Sequence, residues 1–219
     1  MIGIIDYNAG NIRSVQRALE KLNLPYKMSK NPTDLEDVDK LIFPGDGDDS
    51  YAMQELAKTG YDSFIKKAVE KGIFILGICV GSQILFDYTE EGNCKCLELL
   101  EGRIRHFSSV FTDNEKSGIL TKKEYQTLKI PHMGWNNLRF NQSTIKNCPI
   151  LEGITENDDF YFVHSYLIQN KNDSIVAAWA DYGIPVPACI HKNNIYACQF
   201  HPEKSGKPGL QILKNFAQL

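Results

Sequence analysis

Apolar residues come in short blocks through the first hundred positions, and two periods alternate. Residues 1–6 hold the unbroken run Ile2-Gly-Ile-Ile5, the pattern of a strand buried on both faces. Over 11–22, Ile12, Val15, Ala18, Leu19 and Leu22 fall on one face of a helix. Residues 26–29 and 39–43 read as further strands, the second ending at Pro44-Gly-Asp-Gly47. Residues 51–58 and 61–71 read as helices, and Gly72 stops the second before the strand-like run 73–79. A helix is predicted behind that run, over 81–88. This β-α-β-α order predicts an α/β fold, an open and mostly parallel sheet flanked by helices.

The second half changes character. Short strand-like runs are predicted at 103–110, 128–132, 136–140, 160–168, 174–179 and 194–200, with turn residues between them. They would add antiparallel strands to the parallel core. Cys189 and Cys198 sit in alternating apolar patterns and are expected to be buried and unreactive, and 208–219 reads as an amphipathic helix. The polar stretch 112–126 is expected to be an exposed excursion. No repeat or linker divides the chain, so 1–219 is expected to form a single domain. In an open α/β sheet, ligands collect beyond the carboxyl ends of the strands. The end of the first strand, the 44–47 loop and Cys79 all fall there.

Composition adds mainly exclusions. The 219 residues are 42% hydrophobic and 23% charged with a net charge of −3, which gives no reason to expect nucleic acid or an anionic membrane. Asp6 follows directly on the first apolar run, so no signal peptide is read and a cytoplasmic location is expected. The six cysteines do not suggest a disulfide framework. Cys94-Lys-Cys96 lacks the second pair or spaced histidines that zinc requires, so no metal or other cofactor is expected.

The chemistry concentrates at two places. Gly77-Ile-Cys79-Val-Gly81 at the end of an apolar strand has the form of a nucleophile elbow, with sulfur replacing a hydroxyl. Glycines permit the sharp turn, and the following helix N-terminus favours thiolate over thiol. A strand-like run near the other end of the chain leads into His201-Pro-Glu203. If that segment is extended, His201 and Glu203 point to one side and both face Cys79. The imidazole would take the thiol proton and the carboxylate would orient and charge-stabilise the ring. Taken singly these residues have plainer readings. A cysteine in an apolar strand is usually core, and His106, His132 and His191 read as structural. Trp135 can be core, and His164 and Tyr166 can be ordinary alternating strand residues. The elbow glycines and the distal His-x-Glu favour catalysis for Cys79 and His201.

The same residues carry a resemblance. Together the elbow and His-Pro-Glu resemble the class I (triad) glutamine amidotransferases. Within these, the chain is similar to the glutaminase subunit of imidazole glycerol phosphate synthase, the HisH family. The matching segments are 6–15 (Asp-Tyr-Asn-Ala-Gly-Asn-Ile-Arg-Ser-Val), Pro44-Gly-x-Gly47, 77–83, Pro131-His-Met-Gly-Trp-Asn136, Tyr161-Phe-Val-His-Ser-Tyr166 and 199–206. The resemblance implies a flavodoxin-like class I glutaminase fold. It also implies that Cys79 attacks the glutamine side-chain amide to give a thioester and ammonia, with His201 as acid and base and Glu203 holding it. Val80 and the Gly45-Asp46-Gly47 loop would supply the oxyanion N–H donors. Gln83, His164, Ser165 and Tyr166 would hold the glutamine amino and carboxylate groups. The implied partner is a cyclase subunit of (β/α)₈-barrel type, forming a heterodimer through which ammonia passes. Asn8, Asn11, His132, Met133 and Trp135 resemble the face turned toward it.

The family's loop reads Pro-Gly-Val-Gly, whereas this chain has Asp46 there, followed by Asp48 and Asp49. An acidic side chain pointing at a developing oxyanion is unfavourable, and one pointing away is harmless. The changed loop and the excursion keep a rival reading open, a paralogous glutaminase feeding another synthase such as one amidating a surface sugar. Two further readings are a cysteine hydrolase that is not an amidotransferase and a catalytically silent docking subunit.

Overall fold

The computed structural model describes residues 1–219. In the first half, strands β1 (Ile2–Ile5), β2 (Tyr26–Ser29), β3 (Lys40–Gly45) and β4 (Phe74–Cys79) alternate with helices α1 (Ile12–Lys21), α2 (Asp49–Thr59) and α3 (Tyr61–Glu70). The four strands lie in the order β2-β1-β3-β4, all parallel. Helix α1 buries Val15, Ala18 and Leu19, the face its 3.6-residue period marks out. Asp48 caps α2, its Oδ1 accepting the Tyr51 N–H at 2.8 Å.

One element differs here. The helix expected over 81–88 is a single turn, α4 (Val80–Gln83). Beyond Gln83 the carbonyls of Ile84, Leu85 and Phe86 accept N–H groups from Leu97, Leu99 and Glu98. These long-range bonds replace the helical ladder, and the chain passes into β5 (Tyr88–Thr89).

The second half contains β6 (Cys94–Lys95), β7 (Gly102–His106), α5 (Phe107–Lys116), α6 (Lys122–Tyr125), β8 (His132–Asn137), β9 (Arg139–Phe140), β10 (Asp159–His164), β11 (Tyr166–Asn170), β12 (Val176–Asp181), β13 (Pro185–Lys192), β14 (Ile195–Cys198) and α7 (Gly206–Gln218). Strand β14 joins the main sheet parallel to β4, and β13, β12 and β9 extend it antiparallel. Two smaller sheets, β8 with β10 and β11-β7-β5-β6, stand beside the carboxyl end of β4.

Several predicted strands are revised. The 103–110 run is a strand only to His106, whose Nδ1 accepts the Ser108 N–H and starts α5. Phe107, Val110 and Phe111 are buried there at i, i+3 and i+4 spacing, a helical period. Segment 128–132 is irregular until β8 begins. The 160–168 run divides at Ser165 into strands of different sheets, and 136–140 divides at Leu138. The 112–126 excursion is mostly exposed, as expected, but includes the end of α5 and all of α6, and it buries Leu120. Phe107, Val110, Phe111, Leu120, Leu167, Ile184 and Val186 form a small separate core beneath it. Cys189 and Cys198 face each other across β13 and β14, fully buried.

Candidate active site

Strand β4 delivers Cys79 with φ +54° and ψ −115°, a left-handed backbone on a residue that has a Cβ. Such strain costs on the order of 1–3 kcal/mol and persists only where the surroundings enforce it. Here the enforcement is backbone packing. A Cβ on Gly81 would lie 2.1 Å from the Phe43 carbonyl oxygen, and one on Gly45 would lie 2.2 Å from the Gly81 nitrogen. Only glycines allow the end of β3 to pass this close to the elbow, which sets the 45–47 loop against Val80.

Strand β14 lies directly beside β4, with Cys198 opposite Ile78, and carries the chain to His201. His201 is 1% exposed, and its Nδ1 donates to Glu203 Oε1 at 2.8 Å. The expectation that both residues face Cys79 from an extended segment is not met. Pro202–Lys204 is a 3₁₀ turn, so Glu203 curls back behind His201. The Ser205 hydroxyl fixes this turn by donating to the His201 carbonyl at 2.6 Å. With Nδ1 committed to a carboxylate, the buried Nε2 is the ring nitrogen left to interact with Cys79. Burial opposes a charge on His201. Hydrogen bonding and charge from Cys79 and Glu203 outweigh it, and the pKa is pushed up to about 10.

Cys79 opens into a cavity of about 210 Å³. Asp46, Gly47, Val80, Gln83, His164, Ser165 and Tyr166 line it, so most of the predicted site residues converge. Asp46 is exposed at the mouth, in water rather than packed against the buried sulfur, which removes the worst consequence of an acid in this loop. Gln83 Nε2 donates to the Tyr166 carbonyl and to Gln199 Oε1, both at 2.9 Å, and Gln199 Nε2 lies 4.0 Å from Cys79 Sγ. The sulfur also approaches the Val163 carbonyl at 3.8 Å.

The sequence reading missed Glu91, Pro131 and Val163 in the cavity wall. Glu91 matters most, because its carboxylate is the one in the wall able to meet an ammonium group besides Asp46 at the mouth. Its Oε2 accepts the Asp49 N–H at 2.7 Å, and burial raises its pKa. Behind it Asp49 is fully buried, accepting from the Thr89 hydroxyl at 2.6 Å while its Oδ1 has no partner. No local pattern marks Glu91, since only the fold-back of β5 carries it to the cavity.

Of the proposed partner face, Met133 and Trp135 are 61% and 59% exposed, and Asn8 is exposed. Asn11 is half-buried and accepts from the Ser14 hydroxyl. His132 does not belong to an exposed face. It is 3% exposed because β8 alternates, turning Met133 and Trp135 outward and His132 inward. A larger hollow of about 440 Å³, lined by Lys171, His191 and Lys192 among others, lies at the opposite end of the main sheet, far from the sulfur.

A strained strand-end cysteine that opens into a cavity, with a buried His-Glu pair behind it, is a candidate thiol site at the carboxyl end of a mostly parallel sheet. The model of the family described as glutamine amidotransferase class-I matches residues 3–219, and the chain belongs to that family. Curated relatives narrow the placement to the HisH branch. The imidazole glycerol phosphate synthase subunit HisH of Geobacillus thermodenitrificans is 43% identical over 217 residues, 99% of this chain and 94% of that one. The protein of the same name from Methanocaldococcus jannaschii is 42% identical, with both chains fully covered. Among solved structures, a glutamine amidotransferase superposes with a TM-score of 0.71 at 19% identity, over 100% of this chain and 99% of that one. PurLQS from Thermotoga maritima superposes with a TM-score of 0.70 at 19% identity, over 99% and 97%. At such identities these two likenesses concern the fold alone. No helix is long and apolar enough to cross a membrane.

Proposed function

We propose that this chain hydrolyses glutamine to glutamate and ammonia and supplies the ammonia to a cyclase partner that makes imidazole glycerol phosphate. The observation that carries the chemistry is the strained Cys79 beside the buried His201–Glu203 pair. The HisH relatives, matched over 94% and 100% of their length, support the pathway.

The steps follow from the geometry. Cys79 and His201 form the reactive pair, the thiol proton passing to the imidazole as the sulfur attacks, while Glu203 holds Nδ1. Sulfur adds to the amide carbon of glutamine. The oxyanion meets N–H groups of Val80 and the Gly45-Asp46-Gly47 loop, each donor contributing roughly 3 kcal/mol. Imidazolium then protonates the leaving nitrogen, ammonia departs, and a γ-glutamyl thioester remains. Neutral His201 next takes a proton from water as the water attacks, and collapse returns thiolate and glutamate. Glu91 faces the substrate ammonium, Ser165 and the 163–166 strand ends hold the carboxylate end, and Gln83, with both amide hydrogens committed, offers its Oε1 to the ammonium.

The partner is a barrel-type cyclase forming a heterodimer, seated on the face that bears Asn8, Met133 and Trp135. An exposed tryptophan on a strand beside the site suits an interface anchor. The measurement that tests this is glutamine hydrolysis by the chain alone and with the histidine-pathway cyclase of the same organism, with Cys79→Ala alongside. Stimulation by the cyclase that disappears in Cys79→Ala is expected. Cys79-dependent hydrolysis that the cyclase never stimulates would assign the chain to another acceptor.

A further inference from the structure

His132 and His164 sit opposite each other in the β8–β10 pair, and their rings touch, His132 Nδ1 to His164 Nε2, at 3.0 Å. His164 Nδ1 also contacts the Tyr166 carbonyl at 2.7 Å, and the Asn136 amide nitrogen lies 3.4 Å from His132 Nε2. The ends of this chain fix its direction. A carbonyl only accepts, so His164 Nδ1 carries the proton and its Nε2 accepts. His132 must then carry its own proton on Nδ1 and leave Nε2 to accept from Asn136. The partners thus require two neutral rings, each in the Nδ1–H form.

The surroundings preserve that state. Tyr182 stacks on His132 at 4.0 Å between ring centres, Phe162 at 4.8 Å, and Phe107 closes on His164 at 5.2 Å. Neither ring has a carboxylate partner. The Tyr166 carbonyl that ends the chain is also the acceptor for Gln83, and both residues line the cavity. The other end lies in β8, whose alternate side chains Met133 and Trp135 are exposed.

We propose that His132 and His164 are paired positioning residues for the glutaminase reaction. Their hydrogen-bond chain holds the Tyr166 carbonyl, and through it Gln83 and the 163–166 wall, where bound glutamine needs them. The inference rests on the reading of this cavity as the glutamine site. Neither imidazole exchanges a proton with substrate. A single link in a buried neutral chain is worth about 1 kcal/mol net, more when a polar group is left orphaned, so breaking it shifts binding by roughly five- to thirtyfold.

Two substitutions separate the hydrogen-bond role from packing. His132→Phe keeps a ring in the aromatic cage but removes the donor. His132→Asn sacrifices ring volume but places an amide N–H near the lost Nδ1–H. The expected result is a glutamine KM raised about tenfold in His132→Phe, with a smaller change in kcat, and substantial rescue in His132→Asn. Thermal unfolding of both variants checks folding independently. The reverse order, Phe tolerated and Asn damaging, would assign the pair to packing and overturn the proposal. So would ¹⁵N imidazole spectra showing Nε2–H tautomers, a reading that needs no activity. Cys79→Ala distinguishes the two levels: if it still hydrolyses glutamine, the glutaminase site itself is misread. If it is inactive and His132→Phe has an unchanged KM, only this inference fails.

Discussion

Two buried pairs containing histidine lie beside Cys79 and its cavity, and they differ in charge. His201 is almost fully buried, yet its pKa is pushed up to about 10 by Cys79 and Glu203 against the effect of burial. His132 and His164 are buried to a similar degree and go the other way. Burial takes His132 down to about 4. His164 falls to about 3 through burial and the neighbouring His132 and His201, against the favourable Tyr166 carbonyl. The difference lies in the partners. An anionic carboxylate stabilises an imidazolium, whereas a carbonyl and a second imidazole do not compensate its desolvation. One pair therefore favours a charged ring and the other a neutral one.

The largest test breaks the charged pair. His201→Ala is expected to lower kcat/KM for glutamine by about 10⁶-fold, as loss of a triad base does when the triad acts as a unit. A loss no greater than that of His132→Phe would erase the functional contrast between the pairs. Glu203→Gln is expected to cost about 10⁴-fold, because the amide neither orients nor charge-stabilises the ring in the same way. It also removes one of the groups that raise the His201 pKa, so the ring loses its proton at lower pH. The alkaline limb of the kcat/KM profile should move down accordingly, and an unmoved limb would mean that Glu203 does not set this pKa.

These two pairs also differ in how far the sequence revealed them. Cys79, His201 and Glu203 stand in local patterns that carry their own meaning, a strand ending in Gly-x-Cys-x-Gly and a His-Pro-Glu, so each is legible as a candidate in the chain itself. The parallel core is legible for the same reason, since its buried strands are continuous apolar runs. The neutral pair is not. His132 and His164 are 32 positions apart and meet only through the β8–β10 register. The family pattern places His132 on a partner face with Met133, but strand alternation turns it inward. Glu91 is hidden similarly, as is the shortness of α4, where tertiary hydrogen bonds from the 97–99 segment override a helix-compatible sequence.

Asp49 sharpens the rule from the side of the acids. It is buried beside the same cavity with no cation nearby. Burial pushes its pKa up to about 7, the Thr89 hydroxyl opposes this, and the charges of Glu91 and Asp48 add to it. Its folded pKa is raised above the unfolded value, so the native state holds the proton more tightly and stability falls as pH rises through the window up to about 7. The expected loss from this group is about 3 kcal/mol between pH 5 and pH 8. Asp49→Asn should abolish that part of the pH dependence, raising the unfolding temperature at pH 8 relative to pH 5. A wild-type and variant pair with parallel curves would show that Asp49 is already paired in solution.

The smallest effect has the opposite sign. His132 has a folded pKa depressed below its unfolded value, so its contribution is present above about pH 6.5 and is lost as pH falls toward 4. In that window the unfolded chain binds a proton that the native ring refuses. Between pH 8 and pH 5 the loss is about 2 kcal/mol. His132→Phe cannot titrate, so its stability should fall less than the wild type's on acidification, even if it is lower at neutral pH through the lost hydrogen bond. The comparison is read from denaturant midpoints at the two pH values with the slope held common. If the variant loses as much stability on acidification as the wild type, His132 is protonated in the native state. The contrast between a charged and a neutral pair would then collapse on the physical side as well.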